Sequence, residues 1–338
     1  MSKKTRIAIN GFGRIGRLVL RAALESGRDD LEFVAVNDLG PIETSAFLLE
    51  YDSVHGKLPM DVTVSGNVIS VGGHNITVTS ERDPTKLPWK ELDIDIVMEC
   101  TGIFTAADKA KVHLDAGAKR VLVSAPSDGA DATIVYGVNH KTLTADMKII
   151  SNGSCTTNCL APVAAVIDEK FGIVNGYMTT VHAYTGDQSL LDKDHKDLRR
   201  ARAAAMSMIP SSTGAAKAIG LVLPQLAGKL SGVAIRVPTP DVSVVELVVN
   251  LKKAASESDV NAAMKSAASS GDLAGILGYN EKPLVSIDFV HDPRSSIFDS
   301  TLTKVVDGTL LHVTAWYDNE WGFSNRMCDT AADIGKMI

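Results

Sequence analysis

The chain has 338 residues, enough for two domains with separate cores, because single cores stop growing at roughly 250 to 300 residues. Hydrophobic residues make up 45% and charged residues 22%, which excludes a disordered or fibrous protein. The net charge of −6 argues against nucleic acid as the main partner, since phosphate backbones are held by basic faces. No apolar run reaches the roughly 18 residues that cross a bilayer. The cysteines at 100, 155, 159 and 328 form no disulfide framework, and Met1 to Thr5 leads into an apolar strand too short for a signal-peptide core. A reducing, cytoplasmic setting is expected.

Residues 6 to 10, Arg-Ile-Ala-Ile-Asn, predict a short buried strand, followed at once by Gly11-Phe-Gly13-Arg-Ile-Gly16 and a helical period over Arg17 to Ser26. Strand, glycine turn and helix in this order set a pyrophosphate on a helix N-terminus, because glycines permit a tight turn and close backbone approach. Leu31 to Asn37 predicts a second strand, ending in Asp38, 22 residues past Gly16. An acidic side chain at about that spacing receives a ribose 2′-hydroxyl in dinucleotide sites. A glycine turn with a purely structural role is the competing reading, and Asp38 favours the dinucleotide.

Between Pro41 and Pro88 lie a helical stretch, Glu43 to Glu50, and three alternating segments, Val62 to Val64, Val68 to Val71 and Ile76 to Thr79. These predict antiparallel strands inserted in a nucleotide domain. The strand–helix rhythm then resumes with a strand over Ile94 to Cys100 ending at Thr101-Gly102, a helix over Ala106 to Ala116, a strand over Arg120 to Ser124, and Ile149-Ile150. Ligands of open parallel sheets bind beyond the strand carboxyl ends, so Thr101, Gly102, Ser124 and Cys155 are expected to face one crevice.

Past Cys155 the segments Gly176 to His182, Ser231 to Val237, Val242 to Leu251, Leu284 to Val290 and Leu310 to Trp316 predict longer strands of a mixed sheet with covering helices. A polar, basic connection over Asp192 to Arg202 reads as a solvated face for most of its members. Thr213 and Gly214 precede a helix starting near Ala215, the arrangement that suits an anion. Asn325 to Ile338 predicts an amphipathic helix.

The chemistry gathers at Ser151-Asn-Gly-Ser-Cys155-Thr-Thr-Asn-Cys159-Leu-Ala-Pro162. Cys155 follows a strand end and precedes an apolar run at helical spacing, and a helix N-terminus favours a thiolate. Asn152 and Ser154 are good capping residues. His182, in the apolar strand that follows, supplies the proton acceptor a cysteine nucleophile needs. The C-x3-C spacing is followed by no second Cys/His pair, so no metal is expected, and Cys159 is read as structural.

Along essentially its whole length the chain resembles the phosphorylating glyceraldehyde-3-phosphate dehydrogenase family. The motifs that carry the resemblance are Ile9-Asn-Gly-Phe-Gly-Arg-Ile-Gly-Arg17, Val36-Asn-Asp38, Ser154-Cys-Thr-Thr-Asn-Cys-Leu-Ala-Pro162, His182-Ala-Tyr-Thr185, Ile209-Pro-Ser-Ser-Thr-Gly-Ala-Ala-Lys217, Arg236-Val-Pro-Thr-Pro240 and Tyr317-Asp-Asn-Glu-Trp321. The segments around Asp187-Gln188 and Asp197 to Arg202 are similar to bacterial and chloroplast members. The resemblance implies an α/β plus α+β architecture. A Rossmann-type NAD-binding domain (residues 1–153 and 320–338) is joined to a mixed-sheet catalytic domain (154–319), with the C-terminal helix packed back on the first.

By the same resemblance Cys155 is the nucleophile and His182 the base. Thr185, Asp187, Arg200 and Arg236 would hold the phosphate of glyceraldehyde 3-phosphate. Ser154, Thr156, Thr213 and Gly214 would hold the inorganic phosphate. NAD would be met by Asn10, Gly11, Gly13, Arg14, Ile15, Gly16, Asp38, Arg82, Thr101, Gly102 and Ser124, with Asn319 on the nicotinamide carboxamide and Tyr317 nearby. A homotetramer is implied. Asp38-Leu39 favours NAD over NADP, because a carboxylate repels a 2′-phosphate; Asp194 adds to that repulsion and Lys193 opposes it. Two other readings remain open at this point: erythrose-4-phosphate dehydrogenase, and a surface-binding or redox-sensing protein on the same fold.

Overall fold

A computed structural model describes residues 4–338. They form two compact units: residues 4–136, 140–154 and 324–338, and residues 137–139 and 155–323.

In the first unit the apolar run Ile7-Ala8-Ile9 is wholly buried, which makes the strand Thr5–Asn10 the spine of a nine-stranded sheet. To one side lie Ile96–Glu99, Arg120–Val123, Ile149–Ser151 and Ala132–Thr133, all parallel. To the other lie Leu31–Asn37 and His74–Thr79, also parallel, and then Val68–Val71 and Val62–Ser65, which turn antiparallel. The inserted strands expected from alternation are therefore present, and the last of them joins the parallel set. The helix Arg14–Glu25 buries Leu18, Val19, Leu20, Ala22 and Ala23. From residue 324 the last helix, Trp321–Gly335, belongs to this unit: Asp329 pairs with Arg28 at 2.6 Å and the Cys328 thiol lies 3.5 Å from the Val19 carbonyl. The single helix expected over Ala106 to Ala116 is two short helices, Ala107–Ala110 and Val112–Asp115, meeting at Lys111.

The second unit is a seven-stranded mixed sheet in the order Ile209–Ser211, Leu230–Val237, Ile173–Ala183, Ser243–Leu251, Leu310–Tyr317, Ser296–Val306 and Leu277–Asn280. The helix Cys155–Phe171, which buries Cys159, Leu160, Val163 and Ile167, packs on it with Cys159 against Ser296 and the Ala315 carbonyl. One expected strand is corrected. Leu284 to Val290 alternates like a strand, but the Asp288 carboxylate accepts the Val285 N–H and curls Ser286–Phe289 into a 3₁₀ turn. The strand Ser296–Val306 was hidden in the sequence by its serines and threonines, two of which, Ser296 and Thr303, are buried like core residues. Among the described residues no helix is long and apolar enough to cross a membrane.

Candidate active site

The strand Thr5–Asn10 delivers its carboxyl end into a cavity of about 500 Å³, lined by Asn10, Gly11, Gly13, Asn37, Asp38, Arg82, Cys100 and Thr101 among others. Gly11 has φ +91°, and a Cβ there would lie 2.7 Å from the Thr101 backbone nitrogen. Gly16 is equally constrained, since a Cβ would lie 2.1 Å from the Gly11 carbonyl oxygen. Both glycines exist so that two backbones can touch and leave the strand end open. The Asp38 carboxylate stands on the wall, where Oδ2 accepts the Phe12 N–H (2.8 Å) and Oδ1 accepts the Gly40 N–H (2.9 Å). This carboxylate, the glycine cradle and the volume fit the ribose end of a dinucleotide. Arg14 is engaged otherwise, in a two-pronged pair with Asp52 at 2.9 and 3.3 Å. Arg14, Ile15, Gly16, Gly102 and Ser124 do not line the cavity; Ser124 bonds through its N–H to the Glu99 carbonyl (3.0 Å).

In the second unit Cys155 is the first residue of its helix, and its Sγ lies 3.5 Å from Nε2 of His182. The other ring nitrogen, Nδ1, is 2.7 Å from the Ala183 carbonyl, a distance that requires Nδ1 to donate. Nε2 is then a lone pair directed at the thiol. Burial first, and then the Arg236 charge, depress the imidazole pKa to about 3, so the ring is neutral. Burial also pushes the Cys155 thiol up, against the opposing pull of Arg236 and of the Thr156 hydroxyl and N–H. The helix start expected to favour a thiolate is therefore outweighed by desolvation, and the pair is a neutral thiol facing a neutral base.

Arg236 stands beside His182 because the strands Ile173–Ala183 and Leu230–Val237 run parallel with these two residues in register. Its NH1 donates to the Ala183 carbonyl (3.1 Å) and the Thr185 hydroxyl (3.3 Å), while its Nε is buried without a hydrogen-bond partner. An orphaned guanidinium N–H is a place for an anion oxygen. Arg200 donates to Asp187 (2.6 Å), the Ser211 hydroxyl (2.5 Å) and the Ser212 carbonyl (3.2 Å), so Asp187 and Arg200 come together. Thr213 accepts the Ala215 N–H through its hydroxyl (3.2 Å), and Gly214 precedes the helix Ala215–Val222.

Two residues are placed more deeply than the sequence suggests. The Thr156 hydroxyl is 2.9 Å from the Tyr317 hydroxyl, which is also 2.9 Å from the Thr180 hydroxyl. Tyr317 is fully buried and edge-on to His182, 5.9 Å between rings. Asn319 accepts the Ser243 hydroxyl through Oδ1 (2.8 Å), and Ser243 in turn accepts the Ala183 N–H (3.0 Å). Sequence reasoning missed Ser243, Ser211 and His195, the last 3.3 Å from Asp187. None of the three carries a spacing signal: Ser243 acts through a partner 60 residues away, and Ser211 and His195 meet theirs only through the irregular course of the loop between them. Cys159 is wholly buried, its Sγ 3.5 Å from the Ser296 hydroxyl.

A dinucleotide-type fold joined to a unit with a cysteine nucleophile, a neutral histidine base and arginine-lined anion positions defines a nicotinamide-dependent aldehyde dehydrogenase class that works through a thioester. Comparison with known proteins narrows this. Residues 154–319 match the family model of the glyceraldehyde 3-phosphate dehydrogenase C-terminal domain, and residues 5–107 match that of its NAD binding domain. The chain is 64% identical to "Glyceraldehyde-3-phosphate dehydrogenase" of Xanthobacter flavus over 98% of this chain and 99% of that one. It is 61% identical to the protein of the same name from Cereibacter sphaeroides and 58% identical to that from Zymomonas mobilis, with 98% of this chain and 99% of each relative covered. The chain belongs to the glyceraldehyde-3-phosphate dehydrogenase family, and its cofactor is NAD.

Proposed function

We propose that the protein is the phosphorylating form of this dehydrogenase. It converts glyceraldehyde 3-phosphate, NAD and inorganic phosphate to 1,3-bisphosphoglycerate and NADH. The observation that carries the reading is the Cys155 Sγ to His182 Nε2 approach of 3.5 Å with the Nδ1 proton tied to Ala183. His182 takes the thiol proton as sulfur attacks the aldehyde carbon and passes it to the aldehyde oxygen, giving a hemithioacetal and a neutral ring again. NAD, when bound, supplies the hydride acceptor. Loss of hydride leaves a thioester on Cys155, and the same ring removes the hemithioacetal proton. A phosphate oxygen then attacks the thioester carbonyl and the Cys155 sulfur leaves, to be reprotonated.

Arg236, Thr185, Asp187 and Arg200 form the set suited to the substrate phosphate, with the unpartnered Arg236 Nε as its centre. Ser154, Thr213 and Gly214 suit the attacking phosphate. Thr156 contributes through Tyr317, since its hydroxyl is turned inward. Asn319, with its carbonyl committed to Ser243, offers its NH2 to a carboxamide oxygen. The exposed Leu190, Leu191, Leu198, Met206 and Met208 support a homo-oligomer. The reading also places the protein in the cytoplasm, which four free cysteines support. Omission of phosphate is the test. NADH formation should stop after about one equivalent per active site and resume on phosphate addition. Steady phosphate-independent turnover to the free acid would rule out the phosphorylating form.

A further inference from the structure

Beneath the nucleotide cavity a chain of buried polar groups runs through the first unit, and its donors lead to one carboxylate. Trp89, fully buried, donates its indole N–H to Nδ1 of His113 (3.2 Å). An indole nitrogen can only donate, so Nδ1 is unprotonated, and His113 must present Nε2–H to its other neighbour, Oε2 of Glu99, at 2.9 Å. Asn10 donates Nδ2 to the same oxygen (2.7 Å). Asn10 cannot be flipped, because its Oδ1 receives Nδ2 of Asn37 (2.8 Å). Asn37 is itself fixed by the Glu81 N–H and the Thr79 hydroxyl, both at 2.9 Å from its Oδ1. On the other side Oε1 of Glu99 accepts the Thr101 N–H (2.8 Å) and the Thr101 hydroxyl, which also takes the Ile103 N–H (3.0 Å).

Four donors thus converge on Glu99, which is 1% exposed, and none can be turned round. One of the four comes from His113, one from Asn10 and two from Thr101, and Asn10 and Thr101 are residues on the cavity wall at the point where Gly11 touches the Thr101 backbone. Glu99 therefore ties the loop after one strand to the glycine turn after its neighbour. Through Asn10 and Asn37 it also fixes the strand end that carries Asp38.

We propose that Glu99 is a positioning residue for the dinucleotide, and that its role depends on being a carboxylate rather than on its volume. An amide of the same shape satisfies only the Thr101 side; its NH2 then faces the Asn10 NH2 and the His113 N–H, and donor meets donor. The cavity wall relaxes at the turn that meets the pyrophosphate. The inference rests on the assignment of the cavity to NAD, and wild-type titration with NAD tests that assignment separately.

The test is Glu99→Gln, with NAD affinity measured by equilibrium titration and KM and kcat by assay. NAD Kd and KM(NAD) are expected to rise about tenfold, the scale of one buried mispaired hydrogen bond, with kcat within about twofold of wild type. Trp89→Phe frees His113 to change tautomer, so the double variant should regain part of the lost affinity, which a general loss of packing would not allow. Thr101→Val keeps the volume and removes one of the four donors. It should raise NAD Kd about threefold and carries the test if Glu99→Gln does not fold. NAD Kd within about twofold of wild type in folded Glu99→Gln, or in Thr101→Val where that variant carries the test, would overturn the proposal, as would a fall in kcat at unchanged Kd.

Discussion

His182 and Arg236 are register partners on adjacent parallel strands, and both aim a donor at one carbonyl, that of Ala183. The 3.1 Å between Arg236 NH1 and His182 Nδ1 is a contact between two donors, not a bond. It keeps a positive charge beside a ring that must accept a proton, which adds to burial in holding the ring neutral. An anion bound on Arg236 would offset that charge, so a substrate phosphate held there, as proposed, would make His182 a stronger base.

His182→Asn is expected to lower kcat by about 10²- to 10⁴-fold, the range of a lost general base, with a smaller change in KM. Steady-state assay with glyceraldehyde 3-phosphate checks this, and a loss under tenfold would remove the ring from the proton-transfer role.

The buried imidazole also makes a stability prediction. Its folded pKa, about 3, lies below its unfolded value near 6.5, so the unfolded chain binds more protons between them. The stability this group contributes is complete above that window and is lost as pH falls through it. Compared with His182→Asn, wild type should therefore lose more Tm between about pH 6.5 and pH 4. Parallel curves for the two proteins would refute the neutral, desolvated ring.

Asp241 behaves in the opposite sense. Burial first, and then Asp318 and Glu320, hold its carboxyl above the usual range. The folded state keeps a proton that the unfolded chain releases, so the stability from this group falls as pH rises through and beyond about 4. Asp241→Asn should gain Tm relative to wild type at about pH 8 and show no such advantage at about pH 4. Thermal melts at both pH values decide it.

Tyr317→Phe removes one hydroxyl from between two others, those of Thr156 and Thr180. A cost of about 1–3 kcal/mol is expected from the unpaired buried groups. A lower kcat should accompany it, because Thr156 adjoins Cys155 and Thr180 lies two residues before His182. Denaturant unfolding together with assay measures both; an unchanged kcat would confine Tyr317 to stability.

The glycine turn, Asp38 and the Cys155 helix start were legible in the sequence because each is a local pattern whose spacing carries its function. His182 was legible as a lone histidine in an apolar strand. Its tautomer was not, since that depends on a backbone carbonyl and on Arg236, 54 residues on. The depth of Thr156 and Tyr317 was hidden for the same reason: a hydroxyl looks alike in sequence whether it faces an anion or another hydroxyl. Leu284 to Val290 misled because period-two alternation says nothing of Asp288 capping the turn.

Ser243 occupies a position with an unusual chemical demand. It accepts the hydrogen bond of the Ala183 N–H, next to His182, and donates one to Asn319, so the base and the residue proposed for the nicotinamide lie on one hydrogen-bonded line. Alanine there would leave an N–H and a carbonyl facing each other across a gap too wide to close, and cysteine would bridge them weakly. Only a small hydroxyl both receives and passes on the bond. On the proposed function, the base and the nicotinamide's partner would share their orientation through a side chain that takes no part in the reaction.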